Sequence, residues 1–65
     1  MKILLLGKNG QVGWELQRAL QPLGQVFAFD RQIDAATGLC GDVADFAAIT
    51  TTIQKIQPDV VVNAA

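Results

Sequence analysis

The sequence has no histidine, no tyrosine and a single cysteine, Cys40, among 65 residues. One cysteine closes no internal disulfide, and without histidine or a second thiol no zinc cluster can be assembled. An unpaired thiol is consistent with a reducing compartment, so a cytoplasmic location is expected. Charge of one sign is lacking as well: five Lys or Arg stand as single residues and the net charge is −1. That excludes the electrostatic footprint of a nucleic-acid binder and the polybasic anchor of a membrane-surface protein. Long hydrophobic runs are also missing. Ile3-Leu4-Leu5-Leu6, after Met1-Lys2, stops at Gly7-Lys8. It falls short of the apolar region of about 7 to 15 residues that a secretory signal needs, and of the roughly 18 that cross a bilayer.

What is present is apolar: 51% of residues are hydrophobic against 17% charged, which is not the composition of a disordered chain. A chain this short buries only about 60% of the surface its unfolded form exposes, and no disulfide or metal staples it. It is therefore expected to be a piece of a larger α/β domain, with no internal repeat, linker or low-complexity segment.

Ile3 to Leu6 is a continuous apolar run ending at glycine, the pattern of a strand buried on both faces. From Gln11 to about Pro22, Val12, Leu16, Ala19, Leu20 and Leu23 form one helical stripe, with Glu15 and Arg18 facing water. Pro22 and Gly24 end that helix, and Gln25-Val26-Phe27-Ala28-Phe29 reads as a second strand closing at Asp30. Arg31 to Gly38 reads as a loop, and Leu39-Cys40-Gly41-Asp42-Val43 as a short third strand weakened by Gly41. Asp45 is placed to cap a second helix carrying Phe46, Ile49, Ile53 and Ile56 up to Pro58. Because Thr50 to Thr52 have modest helix propensity, packing must hold it. Asp59-Val60-Val61-Val62-Asn63 is a β-branched fourth strand.

Strands alternating with helices predict a Rossmann-type, doubly wound α/β fold with a parallel sheet, here only its N-terminal part in residues 1–65, with strand order 3-2-1-4. The order reverses between strands one and four, and ligands of such sheets bind at the carboxyl ends flanking the reversal. Those ends are Gly7 to Gly13 and Asn63 to Ala65.

Gly7-Lys8-Asn9-Gly10-Gln11-Val12-Gly13 is G-x-x-G-x-x-G between a predicted strand and a predicted helix. Glycines permit the tight turn, the close approach of a pyrophosphate and close helix packing, while the N–H groups of Gln11 and Val12 point at the phosphates from the positive helix end. Twenty residues after Gly10, Asp30 ends the second strand, where an acid hydrogen-bonds the adenosine ribose hydroxyls. Together these favour a dinucleotide. Arg31 and Lys8 are also suited to a ribose 2′-phosphate, so NADH and NADPH are both admissible. Asp42 and Val43 are candidates for the adenine amino group and ring face, and the small side chains of Ala64 and Ala65 stand where the cofactor ribose must pass. Each has a plainer reading: a sharp β-to-α turn for the glycines, a solvated turn aspartate for Asp30, and a loop aspartate before a cap for Asp42. Trp14, off the apolar stripe, reads as a packing residue. Cys40, without a histidine or basic neighbour, reads as an inert thiol.

The glycine motif with its tail, GKNGQVGWELQRAL, the LG before strand two, FAFD, CGD and QPDVVVNAA together resemble the N-terminal segment of the extended short-chain dehydrogenase/reductase family. The resemblance covers essentially all 65 residues. It implies an oxidoreductase that reduces the 4-keto group of the nucleotide sugar dTDP-4-dehydro-L-rhamnose with NADPH or NADH, for bacterial surface polysaccharide. It places cofactor contacts on Gly7, Gly10, Gln11, Val12, Gly13, Asp30, Asp42, Val43, Ala64 and Ala65. The family's catalytic tyrosine, with a lysine four residues later, has no counterpart here, so no catalytic residue is assigned. The family's Mg2+ and homodimer contacts likewise have no matching positions in this sequence. A second reading, from another functional class, is a non-catalytic NAD(P)-binding regulatory subunit that keeps the glycine loop without the chemistry.

Overall fold

A computed structural model describes residues 1–64. Strand β1 spans Lys2–Leu6, helix α1 Gln11–Leu20, strand β2 Gln25–Phe29, helix α2 Phe46–Ile56 and strand β3 Val60–Asn63, with a single 3₁₀ turn at Gln21–Leu23 between α1 and β2. All strand pairings are parallel, in the order β2-β1-β3. The apolar run is the central strand: Ile3, Leu4, Leu5 and Leu6 are all buried, as a strand covered on both faces requires.

The register sets the two faces. Leu4 and Leu6 pair with Phe27 and Phe29, and on this side Ile56 and Ile49 of α2 and Leu39 complete the main apolar cluster. Ile3 and Leu5 point the other way, and α1 lies against β1 and β2. Helices on opposite faces of a parallel sheet are the doubly wound arrangement expected from the pattern.

Asp45 caps α2 as expected, its Oδ1 accepting the Ala48 N–H at 3.1 Å. Gln57 ends the helix in the left-handed conformation just before Pro58. Thr52, completely buried, is what packs the threonine segment: its hydroxyl donates to the Cys40 carbonyl at 2.6 Å and lies 3.0 Å from the Ala48 carbonyl.

Two expectations need correction. Residues 39–43 form no strand, so the outermost member of the order 3-2-1-4 is missing among the described residues and only its 2-1-4 part is present, as β2-β1-β3. Local polar bonding explains this. Asp34 Oδ2 accepts from the Thr37 N–H and hydroxyl, Gly38 N–H returns to the Asp34 carbonyl, and Asp42 Oδ1 accepts the Ala44 N–H. Side chains that bond nearby backbone in this way compete with a sheet ladder. A single backbone bond, Gly41 N–H to the Asp30 carbonyl at 2.6 Å, ties the segment to the end of β2. The second correction concerns the α1 stripe: Leu16 and Leu20 are half-buried, but Val12 and Leu23 are 65% and 64% exposed. The helix approaches the loop through Gly13 instead.

Candidate functional site

The glycine loop leaves β1 at Gly7 and enters α1 at Gly10. It is fastened to the end of the neighbouring strand by two backbone bonds, Gly7 N–H and Lys8 N–H to the Phe29 carbonyl at 2.9 and 3.2 Å. This places the loop beside Asp30, the residue after β2. Gly10 has φ +108° and ψ 162°, a conformation essentially confined to glycine. A Cβ built there meets nothing within 4 Å, so the loop backbone is open to an approaching group. Gly13 serves differently: a Cβ there would lie 2.0 Å from the Gly7 carbonyl oxygen. Helix and loop can touch only because that side chain is absent.

No side chain caps α1, and its first turn carries no acidic residue. The first helical bond back to the loop is Trp14 N–H to the Gly10 carbonyl at 3.0 Å. The N–H groups of Gln11, Val12 and Gly13 therefore lie in the first turn, where α-helical geometry supplies no partner and the dipole is positive. Such an end can receive an anion.

Asp30 is held at both carboxylate oxygens. Asn9 Nδ2 donates to Oδ2, and the Gln32 backbone N–H donates to Oδ1 at 2.8 Å. A cavity of about 490 Å³ opens here, bordered by Gly7 and Asn9 on one side, Asp30, Arg31 and Gln32 on a second, and Gly41, Asp42 and Val43 on a third. Gly7, Asp30, Arg31, Asp42 and Val43, chosen from sequence, are thus brought together at one cavity. Gly10 and Gln11 border an adjoining groove of about 500 Å³ with Lys8, Asn9, Trp14 and Gln17. Val12 and Gly13 line neither: Val12 is exposed and Gly13 is buried against the loop. Ala64 donates its N–H to the Leu6 carbonyl at 2.9 Å, extending the β1–β3 pairing. Ala65 lies outside the described residues.

Asn9, which borders both openings, was not among the expected site residues. The available signal was an amide inside the glycine loop, next to the expected acid once β1 and β2 pair in parallel. Trp14 is 56% exposed, with the Arg18 guanidinium carbon 5.2 Å from its ring centroid. Cys40 is buried, and its carbonyl takes the Thr52 hydroxyl. Among the described residues no group of three or more His, Cys, Asp or Glu could hold a metal ion. Among the same residues no helix is long and apolar enough to cross a membrane.

A family described as the RmlD substrate binding domain matches residues 1–65. The chain is 55% identical over its whole length to a dTDP-4-dehydrorhamnose reductase of Escherichia coli and 49% identical to one of Salmonella typhimurium, covering 21% of each. It is 48% identical to the enzyme of that name in Burkholderia thailandensis, covering 20% of it. The chain thus spans about a fifth of the length of the curated relatives it matches.

Proposed function

This chain belongs to the RmlD substrate binding domain family, and from that premise we propose that it holds the phosphates and adenosine of NADH or NADPH in a cytoplasmic reductase of dTDP-4-dehydro-L-rhamnose. The observation that carries the reading is the uncapped start of α1 behind an open Gly10, fastened beside Asp30 by the two bonds to the Phe29 carbonyl. The N–H groups of Gln11, Val12 and Gly13 receive the pyrophosphate, and Gly10 leaves room for it. Asp30 accepts from the adenosine ribose hydroxyls, and Arg31 is the cation available to a 2′-phosphate. Asp42 and Val43 lie across the cavity for the adenine amino group and ring face, and the small side chain of Ala64 leaves space beside the ribose.

The nicotinamide, when bound, supplies the hydride for the 4-keto carbon of the nucleotide sugar. The residues described here bind and orient. Reduction of a ketone also needs an acid at the oxygen, and no family-type tyrosine donor exists among these 65 residues. The coupled test is to titrate the full-length gene product with NADH and NADPH and then to supply dTDP-4-dehydro-L-rhamnose. Binding with turnover supports the reading. Binding without turnover would favour the non-catalytic regulatory subunit, and no binding would refute both. Asp30→Ala is expected to weaken NADH about 10- to 100-fold, the worth of hydrogen bonds to a charged group.

A further inference from the structure

Asp30 is held from two segments at once. The Asn9 amide reaches it from the glycine loop and the Gln32 N–H from the chain just past β2. Each carboxylate oxygen has two lone pairs, so one donor per oxygen orients the group while leaving acceptor capacity on both. The two donors hold it beside the cavity that Arg31 and Asp42 also border. Only the NH₂ end of the amide can face a carboxylate, because its carbonyl would be repelled.

We propose that Asn9 is a positioning residue that sets selectivity between the two nicotinamide cofactors, a step that rests on the cofactor reading above. A carboxylate fixed at this place accepts from a free ribose diol at little entropic cost. The same fixed carboxylate cannot turn away from a 2′-phosphate, so its repulsion falls on NADPH alone. Selectivity is a difference of affinities, and the Asn9 bond, which together with the Gln32 N–H fixes both carboxylate oxygens, acts on both sides of it. With the amide removed, the Gln32 N–H is the one donor left on the Asp30 carboxylate among the described residues. The carboxylate can then turn about that contact, which weakens its hold on the diol and relieves the clash with the phosphate.

The test measures Kd for NADH and NADPH with the full-length gene product as wild type, Asn9→Ala, Asp30→Ala and the double variant, with circular dichroism to verify folding. Asn9→Ala is expected to weaken NADH about three- to tenfold, the range of one hydrogen bond, and to change NADPH less than about twofold or strengthen it. In the Asp30→Ala background the same change should leave the NADH-to-NADPH ratio unmoved. Asn9→Ser keeps a turn-forming residue but places its hydroxyl one bond short of Asp30. It should move the ratio in the same direction, which covers an alanine variant that fails to fold. Equal weakening of both cofactors would overturn the proposal, since Asn9 would then act on the pyrophosphate through the loop. So would a ratio shift that persists without Asp30. If the wild type binds both cofactors and only the ratio fails to move, the cofactor reading stands and this inference alone falls.

Discussion

Replacing Gly13 with alanine sets two well-understood effects against each other. An interior helical alanine gains about 1 kcal/mol over glycine in propensity. The structure opposes that gain: the new Cβ would lie 2.0 Å from the Gly7 carbonyl oxygen and 3.0 Å from the carbonyl carbons of Gly7 and Lys8. Non-bonded heavy atoms settle about 3.5 to 4.0 Å apart, so loop and helix would have to separate by more than about 1 Å. All three neighbours are backbone, and the loop is fastened by the bonds of Gly7 and Lys8 to the Phe29 carbonyl, so no flexible side chain can yield. Overpacking costs about 1 to 3 kcal/mol, and a backbone clash this short belongs at the upper end. The net expectation is a loss of about 2 kcal/mol, a roughly thirtyfold fall in the folding equilibrium. Urea unfolding of the full-length gene product, followed by circular dichroism, should show a lower midpoint with an unchanged slope. Because the separation also displaces the N–H groups of the first helical turn, NADH and NADPH should weaken together. An alanine variant that unfolds at the same urea concentration as wild type, or a higher one, would refute the packing argument and leave propensity as the larger effect.

Thr52→Val keeps the shape of a fully buried side chain while stranding the Cys40 carbonyl, which now accepts at 2.6 Å. A loss of about 1 to 3 kcal/mol is expected in the same unfolding assay, and a neutral result would mean the carbonyl finds another donor. Asp45→Ala removes the cap of α2, whose Oδ1 holds the Ala48 N–H, and should cost about 1 kcal/mol. Asp45→Asn, which keeps an accepting oxygen, should recover most of it. If asparagine is no better than alanine, the side chain is not acting as a cap.

The parts of the fold most legible in the sequence are those where one signal decides. A four-residue apolar run bounded by glycine can only be satisfied by burial on both faces, and Ile3 to Leu6 became the central strand. Asp45, three residues before Ala48 and ahead of an apolar helical spacing, is a cap by residue type alone. Residues 39–43 failed because two signals conflict there. Leu39 and Cys40 are apolar enough for a strand, yet Leu39 reaches the core from a turn-rich stretch organised by Asp34, Thr37 and Asp42. Val12 failed for another reason: a stripe counts residues by angle around the helix, whereas the approach of Gly13 to the loop decides which part of α1 meets the body of the molecule. At the site, parallel pairing aligns the ends of β1 and β2 and so brings Gly7, Asp30 and Arg31 to one cavity. Asp42 and Val43 reach it from a non-strand segment tied there by the Gly41 N–H to the Asp30 carbonyl. The Asn9 to Asp30 contact needs a further step: it spans 21 positions and rests on the loop backbone being fastened to the Phe29 carbonyl, which pairing of the strands alone does not fix.

The two α-helices among the described residues are of similar length and lie on opposite faces of one sheet, yet their N-terminal ends are prepared for different ends. At α2 the positive pole is already met by a carboxylate, since Asp45 occupies the cap and bonds the third helical N–H. An incoming anion would have to displace a covalently tethered one and would be repelled by its charge. At α1 the cap is Gly10, without a side chain, and the first turn contains Gln11, Val12 and Gly13, without an acid. Capping by Ser, Thr, Asp or Asn in place of glycine stabilises a helix by a few tenths of a kcal/mol, so a chain under selection for stability alone had a modest gain available there. Any such residue would add a Cβ at φ +108° and place its own oxygen where the phosphate is proposed to bind. The stability forgone at Gly10 and the proposed phosphate pocket are therefore one structural fact, and it separates the helix proposed to bind the cofactor from the helix that only packs.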